Sequence, residues 1–257
     1  MEISSRNIFQ AHPFHLVSPS PWPIATCLSL FNLTCSGVLT MHAFNESKNF
    51  VFFAFFLVVS SMSFWFRDII SEGTYLGNHT LAVQRGINIG IALFIISEAL
   101  FFLAIFWAYF HSALSPTIEL GASWPPVGVE AINSFELPLL NTVILLSSGV
   151  LVTYGHHSLI KGDRKGTLYG LLFTILLALL FTCLQEVEYS VAGFTISDGT
   201  FGSCFYFATG FHGIHVIIGT AFIAVGFWRA LAYHLTENHH LGLESSIPYN
   251  LYILSII

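Results

Sequence analysis

Six stretches of this chain are apolar for long enough to cross a lipid bilayer: Trp22–Met41, Phe50–Phe66, Gly86–Phe110, Pro138–Leu159, Leu168–Leu184 and Phe201–Ala232. A spanning helix needs about 20 mostly apolar residues, and inside lipid every peptide group must find its partner within the protein. A seventh run starts near Glu244, carries Pro248 and stops at Ile257. Its 14 residues would reach only about 21 Å as a helix, short of a ~30 Å hydrocarbon core. The predicted fold is therefore all-α, a polytopic membrane helical bundle with six clear spans and a seventh that is incomplete, re-entrant or displaced.

Composition agrees. Hydrophobic residues make up 54% of the 257 and charged residues only 9%, with 26 Phe and a mean hydropathy of +0.74. Soluble domains are nearer a quarter charged. Eight Lys and Arg cannot build a nucleic-acid-binding face. Four cysteines stand in apolar surroundings without metal-type spacing, which predicts small buried side chains. Met1–Gln10 is polar and carries no cleavable signal pattern.

The basic residues orient the spans. If the connections are assigned alternately to the two sides, one side receives Arg6, Arg67, Arg85, Lys161, Arg164, Lys165 and Arg229, and the other Lys48 alone. The positive-inside bias predicts an N-terminus on the matrix or cytoplasmic side. The Lys161–Gly166 connection is a short polar turn. Ser112–Leu137 is long, lacks Lys and Arg, and contains Trp124, Pro125 and Pro126, which predicts an ordered cap. Arg67–Arg85 is too polar for lipid and is expected along the inner interface. Gly86/Gly90 and Gly166/Gly170 have the small-xxx-small spacing that lets helices approach closely.

Glu98 is the sharpest single residue, a carboxyl with apolar neighbours on both sides and about 20 Å along its helix from Arg85. A charge there costs roughly 2.5–3.5 kcal/mol, so the group is expected to be protonated or paired. Two readings follow: a proton-handling acid, or a neutral glutamic acid hydrogen-bonded between helices. His212 and His215 lie three apart and share a helix face. His212, about 14 residues from Asp198, is expected at the depth of Glu98 and is the predicted partner. Arg67, Asp68, Glu72, His79, Arg229 and His234 mix cations and donors at interface level, which suits either a phospholipid headgroup site or ordinary salt bridging at helix ends. The 12 histidines offer no matched haem ligands and no chelating set, so no metal is expected. No hydrolase, Walker or dinucleotide motif is present, and no catalytic residue is assigned.

Nine motifs, taken in order, resemble one family. They are HPFHLVSPSPWP (His12–Pro23), WFRDI (Trp65–Ile69), ISEALFF (Ile96–Phe102), FWAYFHS (Phe106–Ser112), WPPVG (Trp124–Gly128), PLLNT (Pro138–Thr142), GHHS (Gly155–Ser158), FTISDG (Phe194–Gly199) and TGFHG (Thr209–Gly213). Together they are similar to subunit III of mitochondrial cytochrome c oxidase. The resemblance implies a seven-helix subunit of the mitochondrial inner membrane, multi-pass, with its N-terminus on the matrix side. It implies a two-helix and a five-helix bundle around a V-shaped cleft: residues 16–67, an inner-side connector at 68–85, and 86–257, all within one membrane domain, 1–257. Phospholipids in the cleft, packing against subunit I and other oxidase subunits, and haem and copper held only in partner subunits are implied as well. So is a role in a complex that passes electrons from cytochrome c to dioxygen and pumps protons, with the subunit supporting stability, proton uptake and oxygen access. Glu98 matches the family's intramembrane carboxylate, and Arg67, Glu72, His79, Arg229 and His234 match positions near its cleft lipids. After Glu244 the chain departs from the family's aromatic-rich last helix, which puts the seventh span in question.

Two other classes compete. A seven-helix receptor would face its N-terminus outward, against the basic bias. An independent proton-coupled transporter built around Glu98 would show inverted repeats or paired broken helices, and neither is visible in the sequence.

Overall fold

The computed structural model describes residues 12–44, 47–236 and 239–255. Arg6, the Met1–Gln10 segment, and Ile256 and Ile257 of the seventh run lie outside the described residues. Among the described residues all regular structure is helical: α1 (Trp22–Met41), α2 (Ser47–Thr74), α3 (Leu81–Leu114), α4 (Leu137–Ile160), α5 (Arg164–Val191), α6 (Gly199–Leu231) and α7 (Leu241–Ser255), with one 3₁₀ turn at Ile118–Leu120. The first six are long and apolar enough to cross a membrane. Several outrun their apolar runs, most of all α2 and α5 and then α3. Apolarity marks the hydrocarbon, whereas helical hydrogen bonding continues into the polar interface. The stretch expected as an interfacial connector is accordingly helix for most of its length, and only residues 75–80 separate α2 from α3.

The chain divides after Ile87 into two compact units. In the first, α1 and α2 pack through small residues. Ala54 is fully buried, and Ser29 and Ser61 meet at 3.3 Å between their hydroxyls. Trp22 stacks on Phe64 at 5.1 Å and donates its indole N–H to Asp68. The segment before α1 is tied down by Thr80, whose hydroxyl donates to the Pro13 carbonyl at 2.6 Å.

In the second unit, α4 and α5 form the tightest seam. A Cβ built on Gly170 would stand 2.7 Å from the Gly155 Cα, and one on Gly166 2.7 Å from the Ser158 hydroxyl. Asp163 caps α5 by accepting the Lys165 N–H at 3.1 Å. Of the two small-residue pairs in the sequence, Gly166/Gly170 thus makes a helix contact, while a Cβ on Gly86 or Gly90 would meet nothing within 4 Å among the described residues.

The seventh run is a helix, and it is buried. Leu243, Ile247, Tyr249 and Ile253 of α7 join two apolar clusters with Leu145, Val152, Leu171, Phe181 and Ile223. Two glycines of α6 receive it: a Cβ on Gly219 would lie 3.1 Å from Ile253 Cδ1, and one on Gly226 3.2 Å from Leu243 Cδ1. Pro248 sits on the exposed face, where the carbonyl that its ring leaves unbonded harms the core least. At 15 residues α7 spans about 22 Å.

The long connection after α3 is ordered. Trp124, whose bond to Pro125 is cis, sets its ring edge against Tyr109 at 5.5 Å and Phe201 at 5.4 Å. This is the cap expected from its Trp and prolines.

Candidate functional site

Glu98 stands 16 residues from Leu114, the end of α3, and His215 stands 16 residues from Gly199, the start of α6. The two helices run antiparallel here, since Glu98 meets His215 while Phe101, a turn further along, meets Phe211 and Phe207. Each residue is at the middle of its helix. Glu98 Oε2 lies 2.6 Å from His215 Nε2, with the side chains 22% and 11% exposed.

The other imidazole nitrogen decides the chemistry. His215 Nδ1 lies 2.6 Å from the Phe211 carbonyl, which can only accept, so Nδ1 carries a hydrogen. One proton then serves the Nε2–Oε2 contact. With it on the carboxyl the pair is two neutral groups; with it on the imidazole the pair is two opposite charges. In both forms the net charge is zero, which suits a site far from water. Phe102 covers the imidazole edge-on at 5.2 Å, and Tyr249 and Tyr252 of α7 are near enough to interact electrostatically with Glu98.

His212, the partner expected from the sequence, is elsewhere. It is 4% exposed, and its Nε2–H donates to the Ile253 carbonyl of α7 at 3.1 Å. Equal depth for Glu98 and His212 would need α3 to start at Arg85; it starts at Leu81 and runs to Leu114, which sets Glu98 level with His215. Three residues of helix also turn the side chain about 60°, enough to aim His212 at α7 and His215 at α3.

The interfacial set falls in two places. In the first unit Arg67 donates to Asp68 from Nη2 at 3.0 Å and from Nε at 3.2 Å, and its guanidinium lies over Phe64. Glu72 is 4.0 Å from His15, and the His79 ring presses on Gly73. In the second unit Arg229 is half-buried in the last turn of α6 against Gly242, and His234 sets its ring edge on Trp228 at 5.5 Å. His156 and His240 approach ring to ring at 5.3 Å. Among the described residues no three His, Cys, Asp or Glu side chains converge as a metal site would require.

One polar cluster escaped the sequence reading. Glu188, 7% exposed, lies in the last turn of α5 near Gln185, which also meets Asn141 at 3.5 Å. Tyr189 donates to Thr209 at 2.7 Å beside it. Its signal in the sequence is Gln185 and Glu188, which fall just past Leu184, where the apolar run stops but α5 continues to Val191.

Comparison with known proteins agrees with the motifs. The family described as cytochrome c oxidase subunit III matches residues 12–257. The chain belongs to the cytochrome c oxidase subunit III family. It is 68% identical to cytochrome c oxidase subunit 3 of Podospora anserina over 244 residues, which covers 95% of this chain and 91% of that one. Identity to the Neurospora crassa protein of the same name is also 68%, over the same shares of each chain. With the Trichophyton rubrum protein it is 67% over 249 residues, or 97% and 93% of the two chains. The chain is therefore a multi-pass membrane subunit of an oxidoreductase complex, and it partners other subunits of that oxidase. A self-standing transporter built on Glu98 is not supported.

Proposed function

We propose that this chain serves its oxidase as a structural and proton-handling subunit in the mitochondrial inner membrane, with no redox centre of its own. The Glu98–His215 pair carries this reading. It is an acid and a base at 2.6 Å in the middle of two spans, able to hold a proton on either partner without a change of net charge. Such a pair can take up or release a proton only when a neighbouring group or water reaches it. A supporting role beside a pumping subunit fits this better than an independent transport path. Electron transfer from cytochrome c to dioxygen and the associated proton pumping belong, on this reading, to haem and copper in partner subunits, with subunit I the main packing partner.

The seven-to-one distribution of basic residues supports an N-terminus on the matrix side. Phospholipid headgroups are held at two places. Arg67 has a side chain 64% exposed beyond its contact with Asp68, near Glu72 and His79 in sequence; Arg229 and His234 offer a second cationic end. The apolar outer surface of α3, with Leu93, Ile96, Leu100 and Leu103 all more than half exposed, supports cover by lipid or a partner subunit.

The test is Glu98→Gln in the assembled oxidase. The amide can still hydrogen-bond His215 but cannot exchange the proton. Assembly and haem–copper absorbance should match the unaltered complex, with oxygen consumption retained and proton uptake or endurance over many turnovers modestly reduced. Complete loss of oxygen consumption in a fully assembled Glu98→Gln complex would overturn the reading.

A further inference from the structure

Where α5 begins and α6 ends, the second unit forms a half-open pocket of about 340 Å³, outside the sites described above. Its wall combines three chemistries. Arg164 supplies a guanidinium, Thr236 a hydroxyl, and Leu159 and Leu235 an apolar side. Among the described residues no acidic side chain lines it. Two acids adjoin the wall in sequence: Asp163, which is engaged in capping α5 through the Lys165 N–H, and Glu237, which lies outside the described residues.

Arg164 is held in place before any ligand arrives. Its Nη2 donates to the Leu231 carbonyl at 3.1 Å, one of the carbonyls that a helix end leaves without an intrahelical partner. The flat face of the guanidinium lies over the Tyr233 ring, 3.9 Å from the centroid. Tyr233 takes a left-handed backbone conformation, φ 58°, and Gly162 across the cavity has φ 77°. A non-glycine residue in that region is strained and is retained where the surroundings demand it. With one N–H used by Leu231, four of the five guanidinium donors remain, in a planar fork suited to phosphate oxygens. Thr236 Oγ accepts the His239 N–H at 3.0 Å and keeps its own O–H to donate. Lys161 and Lys165 add charge on either side in sequence.

We propose that this cavity binds a phosphate group, with Arg164 as its fixed anchor and Thr236 as the second donor, at a site separate from Arg67 and Arg229. The residues lie where two membrane spans end, and the apolar wall continues the cationic rim. A phospholipid headgroup with its glycerol against Leu159 and Leu235 meets all of these features. A soluble phosphate ester shares the same recognition chemistry.

The experiment uses the assembled oxidase, unaltered and as Arg164→Gln and Arg164→Lys. Tightly held lipid is read by native mass spectrometry after graded detergent washing. Binding of inorganic phosphate and ATP is read by equilibrium dialysis. A photoactivatable phosphatidylglycerol is crosslinked to the unaltered complex and mapped by peptide. Loss of one retained phospholipid in Arg164→Gln, with retention about tenfold weaker and partly restored by Arg164→Lys, is the result expected for a lipid. Crosslinks should then fall between Leu159 and Thr167 or between Ala230 and Thr236. An unchanged lipid complement together with phosphate or ATP binding that weakens about tenfold in Arg164→Gln assigns the site to a soluble phosphate. If Arg164→Gln does not assemble, the unaltered complex decides: crosslinks on those segments, or phosphate binding, support the site. The proposal is overturned if the unaltered complex shows neither. It is equally overturned if both forms of binding survive Arg164→Gln unchanged.

Discussion

Helices α4 and α5 meet backbone to backbone, whereas α3 is held at a distance. At the first seam Gly155 faces Gly170 so closely that a side chain on Gly170 would strike the opposite backbone at 2.7 Å. No Cα of α3 comes within 8 Å of a Cα on α4–α7 among the described residues. The gap is filled by long side chains, among them Phe94 on Tyr249, Phe101 on Phe211, Phe102 on His215, and the Glu98–His215 bond. Lipid tails are as apolar as leucine, so helices in a membrane associate through close packing and hydrogen bonds rather than through burial from water. The α4–α5 seam uses the first means and α3 the second. A tight seam has no room for a titratable pair; a stand-off helix has.

The sharpest test of this contrast is Gly170→Leu. Three extra carbons beyond the Cβ cannot fit against the Gly155 backbone, and overpacking of this kind costs about 3 kcal/mol or more. Most assembled oxidase should be lost on recovery in mild detergent. Near-normal recovery would show that the seam can open and would erase the distinction.

His215→Leu should come next. It leaves the Glu98 carboxyl without its partner, at a cost of about 2 kcal/mol. The double variant with Glu98→Leu should regain most of that stability, because replacing both members by apolar groups removes the unpaired one. Thermal denaturation of the assembled complex, read as a double-mutant cycle, checks this. Additive losses would mean that the pair does not hold α3.

Phe101→Ala should cost about 1 kcal/mol, since the ring is 36% exposed and loses packing without leaving a wholly buried cavity. A loss as large as that of Gly170→Leu would make α3 a close-packed helix after all. The smallest effect is expected at Gly90, where Ala meets open space: a change within about 0.5 kcal/mol in the same melting assay. A large loss there would reveal a partner packed on α3 in the complex.

Much of the architecture was legible in the chain. The six spans and the ordered Trp124 cap follow from composition and spacing, because each is set by the chemistry of its own segment. The Glu98 site was half legible. An acid inside an apolar run stands out, but choosing between His212 and His215 requires knowing where α3 and α6 end and how they are rotated. Glu188 was missed because helix and apolarity do not end together. The seventh helix was underrated because length judges a helix against lipid, whereas α7 lies against protein.

The sequence by itself determined which segments cross the membrane and that one carboxyl must be neutral or paired within it, since the transfer of peptide and charge into lipid depends on each residue's own chemistry. Only the tertiary structure decided that Gly170 and not Gly90 makes a helix contact, that His215 and not His212 meets Glu98, and that Gly219 and Gly226 cradle a short proline-bearing helix. Those choices depend on helix rotation and separation, which are set by contacts between segments far apart in the chain.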